Sequence, residues 1–161
     1  MAISGTGVRN NFAVADEAAR KRDVQMVKDW IVAASKLGAP VIRVFSGTER
    51  PTGYTFDQAL DWMVSDFKQC AAFGKEHGVM VGLQQHNDFL KTAAETIRVI
   101  EAVDSPWFGC ILDIGHVTRS AQPVEASGTN WGPVKSRYEL GCRSAIPAHL
   151  LESGNLDIGV G

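Results

Sequence analysis

Polar side chains that could bind a metal ion and hydroxyl groups follow two apolar segments of the chain. Gln84, Gln85 and His86 come directly after the apolar run VMVGL. Asp113 lies at the end of a second apolar segment, and His116 follows it three residues later. A carboxylate combined with imidazoles suits a divalent ion such as Mn²⁺, Mg²⁺, Co²⁺ or Zn²⁺. This spacing lets Asp113 hold a metal while His116 reaches a substrate hydroxyl.

A simpler interpretation of the same residues stays open. Asp113 could cap the turn that follows it, and the histidines could be incidental loop residues. The amides Gln84 and Gln85 cannot act as a general acid or base, because an amide does not titrate in the useful range, but they can hydrogen-bond a hydroxyl. Tyr54, in the loop after a predicted strand, is the aromatic side chain that we would place over a sugar ring.

Arg43 lies within the apolar segment VIRVF and allows two interpretations. Its side chain could point inward as a buried charge that needs an acidic partner. Alternatively, it could face a helix layer and extend its guanidinium to solvent. The residues alone leave both orientations open.

The elements that must position these residues alternate between strands and helices. Apolar residues at three- and four-residue spacing predict helices, and short β-branched segments bounded by Gly or Pro predict strands. The predicted strands span 2–8, 41–45, 79–83 and 108–114, and the predicted helices span 16–37, 56–77 and 88–103. Strands without polar alternation, each followed by a helix, are typical of a parallel sheet covered by helices. Ligands bind at the carboxyl ends of such strands, where the polar residues lie.

This pattern stops after Val117. The segment 118–161 is rich in Gly, Pro and Ser and contains no long apolar stripe. We therefore predict a domain over 1–117 and an irregular tail over 118–161, which we expect to be non-native or translated in another reading frame.

Composition narrows the classes of function. A chain of 161 residues with 45% hydrophobic and 21% charged residues is typical of one globular domain. The net charge of −2 gives no electrostatic support for binding nucleic acid or an anionic membrane. Three widely spaced cysteines form no CxxC motif, and no segment has the length of a signal peptide core or membrane span. We expect a cytoplasmic protein.

Three segments together resemble the xylose isomerase-like TIM-barrel superfamily, which contains sugar phosphate isomerases and epimerases. They are LGAPVIRVFSG, GVMVGLQQHNDFL and SPWFGCILDIGH. The resemblance covers about residues 2–116 and corresponds to the third through sixth strands of the eightfold barrel. A complete barrel takes about 250 residues. The resemblance therefore implies an α/β fold that is a partial (β/α)₈ barrel of about four parallel strands with covering helices.

The resemblance also implies a metal site. In epimerases of this family a divalent ion is held by two glutamates, an aspartate and a histidine, and the glutamates move the proton beside the sugar carbonyl. Gln84 falls on the position of the first glutamate, Asp113 on that of the aspartate, and His116 on that of a histidine that contacts substrate. The ligands of the last two strands have no counterpart. The resemblance thus implies metal ligation by Asp113 and Gln84, and leaves the catalytic base unidentified.

The predicted function is that of a sugar or sugar phosphate isomerase or epimerase, inactive or impaired as this truncated chain. His86, His116, Gln85 and Tyr54 would contact the sugar. One alternative is a half-barrel that binds carbohydrate or acts as a scaffold without catalysis. A weaker one is a metal nuclease like endonuclease IV, for which the basic face is missing. Open strand edges also predict self-association.

Overall fold

Strands and helices alternate in the computed structural model, which describes residues 3–84 and 89–111. The strands are β1 (Thr6–Gly7), β2 (Val41–Val44), β3 (Met80–Gln84) and β4 (Phe108–Ile111), and the helices are α1 (Glu17–Leu37), α2 (Phe56–His77) and α3 (Ala93–Val103). The strands form one parallel sheet in the order β1-β2-β3-β4. This confirms the predicted parallel α/β architecture. No helix in this part of the chain is long and apolar enough to cross a membrane.

Residues at the helix ends explain where α1 and α2 begin and end. α1 starts after Asp16, whose carboxylate accepts hydrogen bonds from the backbone N–H groups of Ala18 and Ala19 at 2.8 and 3.2 Å. α1 and α2 are followed by Gly38 and Gly78, with φ angles of 71° and 68°. These angles lie in the left-handed region that favours glycine, so both helices stop where the sequence predicts.

Helix α3 begins later than predicted. The Thr92 hydroxyl accepts a hydrogen bond from the Glu95 backbone N–H at 3.2 Å, and the Glu95 carboxylate accepts one from the Thr92 N–H at 2.8 Å. This reciprocal capping box fixes Thr92 outside the helix. Residues 89–92 therefore precede α3. The predicted helix 88–103 was wrong for these residues.

β1 and β4 are the outer strands of the sheet among the described residues. β1 has two residues instead of the predicted 2–8, and beyond it the Val8 N–H donates a hydrogen bond to the Arg43 carbonyl at 3.0 Å. The last predicted residues of β4, 112–114, and the predicted tail 118–161 lie outside the described residues. Self-association through the strand edges stays a prediction.

The two faces of the sheet have different compositions. The register places Ile42 beside Val81, and Val44 beside Leu83, in rows that belong to the apolar core beneath the helices. Successive strand residues point to opposite faces, so Arg43 points away from this core. We call the face opposite the helices the inward face, because it is the one that a closed barrel would enclose.

Aromatic rings and one ion pair hold the helices on the sheet. The Phe67 ring of α2 lies 5.1 Å from the Phe12 ring and 4.8 Å from the Phe108 ring of β4, centroid to centroid. Arg20 of α1 and Asp66 of α2 form a buried ion pair, with Nε and Oδ2 3.1 Å apart. The ring contacts hold α2 on the sheet, and the ion pair joins α1 to α2.

Candidate functional site

A side-chain amide extends the pairing of β1 and β2 beyond their ends. The Asn10 Nδ2 donates to the Phe45 carbonyl at 2.7 Å, and the Phe45 N–H donates to the Asn10 Oδ1 at 2.8 Å. Asn10 is buried, and its side-chain amide forms with Phe45 the two hydrogen bonds that the backbone of a paired strand residue would form. A role for Asn10 in contacting substrate is therefore not needed to explain it.

Gly47 connects the loops that follow β1, β2 and β3. Its carbonyl accepts a hydrogen bond from the Phe89 N–H at 3.1 Å, and the neighbouring Ser46 carbonyl accepts one from the Phe12 N–H at 3.0 Å. A side chain at Gly47 would overlap Asn11 and Ala13. Its φ of 145° also disfavours any other residue. The carboxyl ends of three strands are thus held together by backbone contacts that only glycine permits.

Gln84 is the last residue of β3 and lies on the inward face. It pairs with Ile111 in the register and is 8% exposed. By strand alternation it shares this face with Gly82, which lies beside Arg43. The structure therefore places Gln84 at the carboxyl end of a central strand, on the face that a barrel encloses.

Arg43 adopts the inward orientation of the two that the sequence leaves open. Its guanidinium carbon lies 4.8 Å from the centroid of the Phe45 ring. Its Nε is buried and has no hydrogen-bond partner. No carboxylate of residues 3–84 or 89–111 forms an ion pair with it. The acidic partner that an inward charge would need is thus missing from this part of the chain.

Tyr54 lies in the loop between β2 and α2, and its side chain contacts a helix. The Tyr54 ring packs edge-on against the Trp62 ring of α2, with centroids 5.2 Å apart and an angle of 74° between the planes. Tyr54 is 43% exposed, so part of its side chain is open to solvent. The contact with Trp62 restricts the direction in which that ring can turn.

The other predicted site residues lie outside the described part of the chain. These are Gln85, His86, Asp113 and His116. Residues 3–84 and 89–111 contain no group of three or more His, Cys, Asp or Glu residues that could hold a metal ion. Within them the structure brings together Gln84 and Arg43 on one face of the sheet. The second of these was not among the predicted site residues, since its orientation depends on the strand register.

Several solved structures share this arrangement. The 3-keto-D-glucoside 4-epimerase of E. coli matches with a TM-score of 0.72 and 14% identity, over 86% of this chain and 57% of its own. An L-ribulose 3-epimerase matches with a TM-score of 0.70 and 20% identity, over 83% of this chain and 48% of its own. The chain thus spans about half the length of these structures.

A third similar structure was solved with a metal ion. The IolI protein, with a bound zinc atom, matches with a TM-score of 0.66 and 14% identity, over 75% of this chain and 44% of its own. At such identities these likenesses show the fold alone. No curated protein sequence matches the chain significantly.

The predicted partial barrel is confirmed by these comparisons. The four parallel strands with their helices correspond to part of a (β/α)₈ barrel. The family model described as "Xylose isomerase-like TIM barrel" matches residues 2–138, which is most of the sequence. The chain belongs to the xylose isomerase-like TIM-barrel family.

Proposed function

We propose that this chain is a sugar isomerase- or epimerase-like protein whose site lies at the carboxyl ends of β3 and β4. The observation that carries the proposal is the position of Gln84, which is buried at the end of β3 on the inward face. Parallel α/β folds bind their ligands at this end of the sheet. The similar solved structures named as sugar epimerases support a small sugar or sugar phosphate as the ligand.

Each site residue has a proposed role that follows from its chemistry. Asp113 holds a divalent metal and Gln84 assists with its amide oxygen. Because imidazole and amide groups hydrogen-bond hydroxyls well, His86, His116 and Gln85 position the sugar. Tyr54 covers one face of the sugar ring, held in place by Trp62.

The described residues alone fit a metal ion poorly. Gln84 provides one neutral oxygen donor, and the described part of the chain provides no cluster of acidic residues or histidines beside it. The proposed metal site therefore depends on Asp113. When bound, such an ion polarises the sugar carbonyl.

Gln84 also limits the chemistry that the site can perform. Proton transfer beside the carbonyl needs a group that can both accept and release a proton, and an amide does neither in the useful range. The proposal is therefore a site that binds sugar and metal while its proton transfer is impaired.

Calorimetric titration with MnCl₂ tests the metal site. We expect stoichiometric binding by the unchanged chain and none by Asp113→Ala. Gln84→Glu should tighten binding by about tenfold or more, because a charged oxygen replaces a neutral one. Gln25→Glu is the matched control, because Gln25 lies exposed on α1. Equal affinities for the unchanged chain and Asp113→Ala would overturn the metal assignment.

A non-catalytic carbohydrate-binding protein is the second candidate. It is favoured by the same Gln84, since a neutral amide suits hydroxyl binding better than metal binding. Titration of a neutral ketose such as D-fructose in the presence of EDTA separates the two candidates. Binding that is independent of both metal and Asp113 would favour this second function.

A further inference from the structure

Arg43 lies in a row of the sheet that otherwise consists of glycines. The register aligns Gly7 of β1 with Arg43 of β2, Arg43 with Gly82 of β3, and Gly82 with Gly109 of β4. Side chains of barrel strands normally fill the interior in layers of bulky residues. This row therefore carries a single charged side chain between strand residues that have no side chain of their own.

The glycine at the β1 edge makes room for the guanidinium group. A Cβ at Gly7 would lie 3.0 Å from both the Nε and the Nη2 of Arg43, closer than ordinary van der Waals contact. On the other side the Ile111 side chain fills the space above Gly82, because a Cβ there would lie 2.6 Å from its Cδ1. The guanidinium is thus directed over the exposed Gly7 and beneath the Phe45 ring.

Two other arginines that lie over aromatic rings have carboxylate partners. Arg20 lies over the Trp62 ring and is paired with Asp66 at 3.1 Å. Arg98 lies 5.5 Å from the centroid of the Phe56 ring and is paired with Asp57 at 2.8 Å. Arg43 has the ring but no carboxylate among residues 3–84 and 89–111.

A partly buried guanidinium without an anionic partner costs free energy, since the buried Nε–H of Arg43 loses water and gains no acceptor. That cost is offset when an anion binds, because the guanidinium fork donates two parallel hydrogen bonds to a carboxylate or a phosphate. Gln84 lies one row nearer the carboxyl end on the same face. Charge and amide therefore lie on the same face of the sheet, on neighbouring strands.

We propose that Arg43 is a specificity-determining residue that binds the anionic group of an acidic sugar, either a phosphate or a carboxylate. The proposal rests on the sugar-binding function proposed above and names the substrate class of that site. Arg43 supplies charge recognition, while Gln84 hydrogen-bonds the neutral part of the sugar.

Titration of inorganic phosphate into the metal-free chain, in EDTA, tests this role. We expect Arg43→Gln to bind phosphate at least about tenfold more weakly than the unchanged chain, which corresponds to one strong charged hydrogen bond. Arg43→Lys should retain part of the affinity, because it keeps the charge but loses the fork. If circular dichroism shows that Arg43→Gln does not fold, the phosphate affinity of Arg43→Lys is compared with that of the unchanged chain instead. A weaker affinity of Arg43→Lys then supports the proposal.

Arg98→Gln is the matched control, because it removes an arginine that also lies over a phenylalanine ring but on the helical side. It should leave phosphate binding unchanged. Unaltered phosphate affinity in both Arg43 variants, or no phosphate binding by the unchanged chain, would overturn the proposal. Manganese binding that depends on Asp113 would still support the proposed function in that case, so the two failures are distinguishable.

The source of the anion is decided by two further titrations. If acetate displaces bound phosphate with an affinity similar to that of phosphate, the site takes the carboxylate of a sugar acid. If acetate displaces phosphate only weakly, the site takes a sugar phosphate. D-fructose should bind Arg43→Gln and the unchanged chain equally, because a neutral sugar does not use the charge. A large loss of D-fructose affinity in Arg43→Gln would contradict charge recognition and favour a general structural role.

Discussion

The helix-covered face and the inward face of the sheet differ in whether their charged side chains have partners. On the covered face Ile42, Val44 and Leu83 are fully buried. The buried charge of the helix layer, Arg20 of α1, is neutralised by Asp66 and donates hydrogen bonds to two backbone carbonyls. On the inward face Arg43 has no such partners in the described part of the chain. The covered face is a packed core whose buried charge is paired, whereas the charge on the inward face has no partner among the described residues.

Replacing a phenylalanine by alanine on each face should give the largest difference between the faces in the free energy of unfolding. We expect Phe67→Ala to lower the free energy of unfolding by about 4 kcal/mol, because the ring is fully buried between Phe12 and Phe108. Phe45→Ala removes a half-buried ring and should cost about 1 kcal/mol. Urea denaturation followed by circular dichroism measures both. Equal losses would show that the inward face belongs to the same packed core.

Replacing one glycine by alanine on each face should give a second, smaller difference in the free energy of unfolding. A Cβ at Gly74 would overlap the backbone carbonyl oxygen of Val79, which cannot move without displacing β3, so Gly74→Ala should cost about 2 kcal/mol. A Cβ at Gly7 would meet only the flexible end of Arg43. Gly7→Ala should therefore change stability by less than about 1 kcal/mol. It should weaken phosphate binding instead, since it displaces the guanidinium. A stability loss at Gly7 as large as that at Gly74 would contradict the distinction between the faces.

The sequence predicted the covered face better than the inward one, for physical reasons. Helix ends depend on local residues, so Gly38 and Gly78 could be identified without any knowledge of tertiary contacts. The start of α3 was placed too early, although its capping box of Thr92 and Glu95 depends on local residues alone. Gln84 could be located because the carboxyl end of a strand is itself a local feature.

The environment of Arg43 could not be derived in the same way. Apolar residues surround it on both sides in VIRVF, so alternation does not indicate which face it occupies. Its orientation follows from the register with Gly7 and Gly82, which pairs residues far apart in the sequence. The contact of Tyr54 with Trp62 likewise joins a loop to a helix face and leaves no periodic signal.

The smallest expected effect is the pH dependence that Asp66 gives to the free energy of unfolding. Burial raises the pKa of the Asp66 carboxyl above its ordinary value, although Arg20 acts in the opposite direction. A carboxyl whose pKa is raised by folding binds its proton more tightly in the folded state. Its contribution to stability is therefore complete below the unfolded pKa and is lost as pH rises through the folded pKa.

Asp66→Asn removes this titration while keeping the shape of the side chain. The free energy of unfolding of the unchanged chain, minus that of Asp66→Asn, should stay level below the pKa of an ordinary aspartate and fall as pH rises from there through the higher pKa of folded Asp66. Urea denaturation of both proteins over this range measures the difference. A rise instead would mean that the Arg20 guanidinium outweighs burial, and that the ion pair contributes net stability. The falling difference would mean that the burial of Asp66 outweighs its attraction to the Arg20 guanidinium.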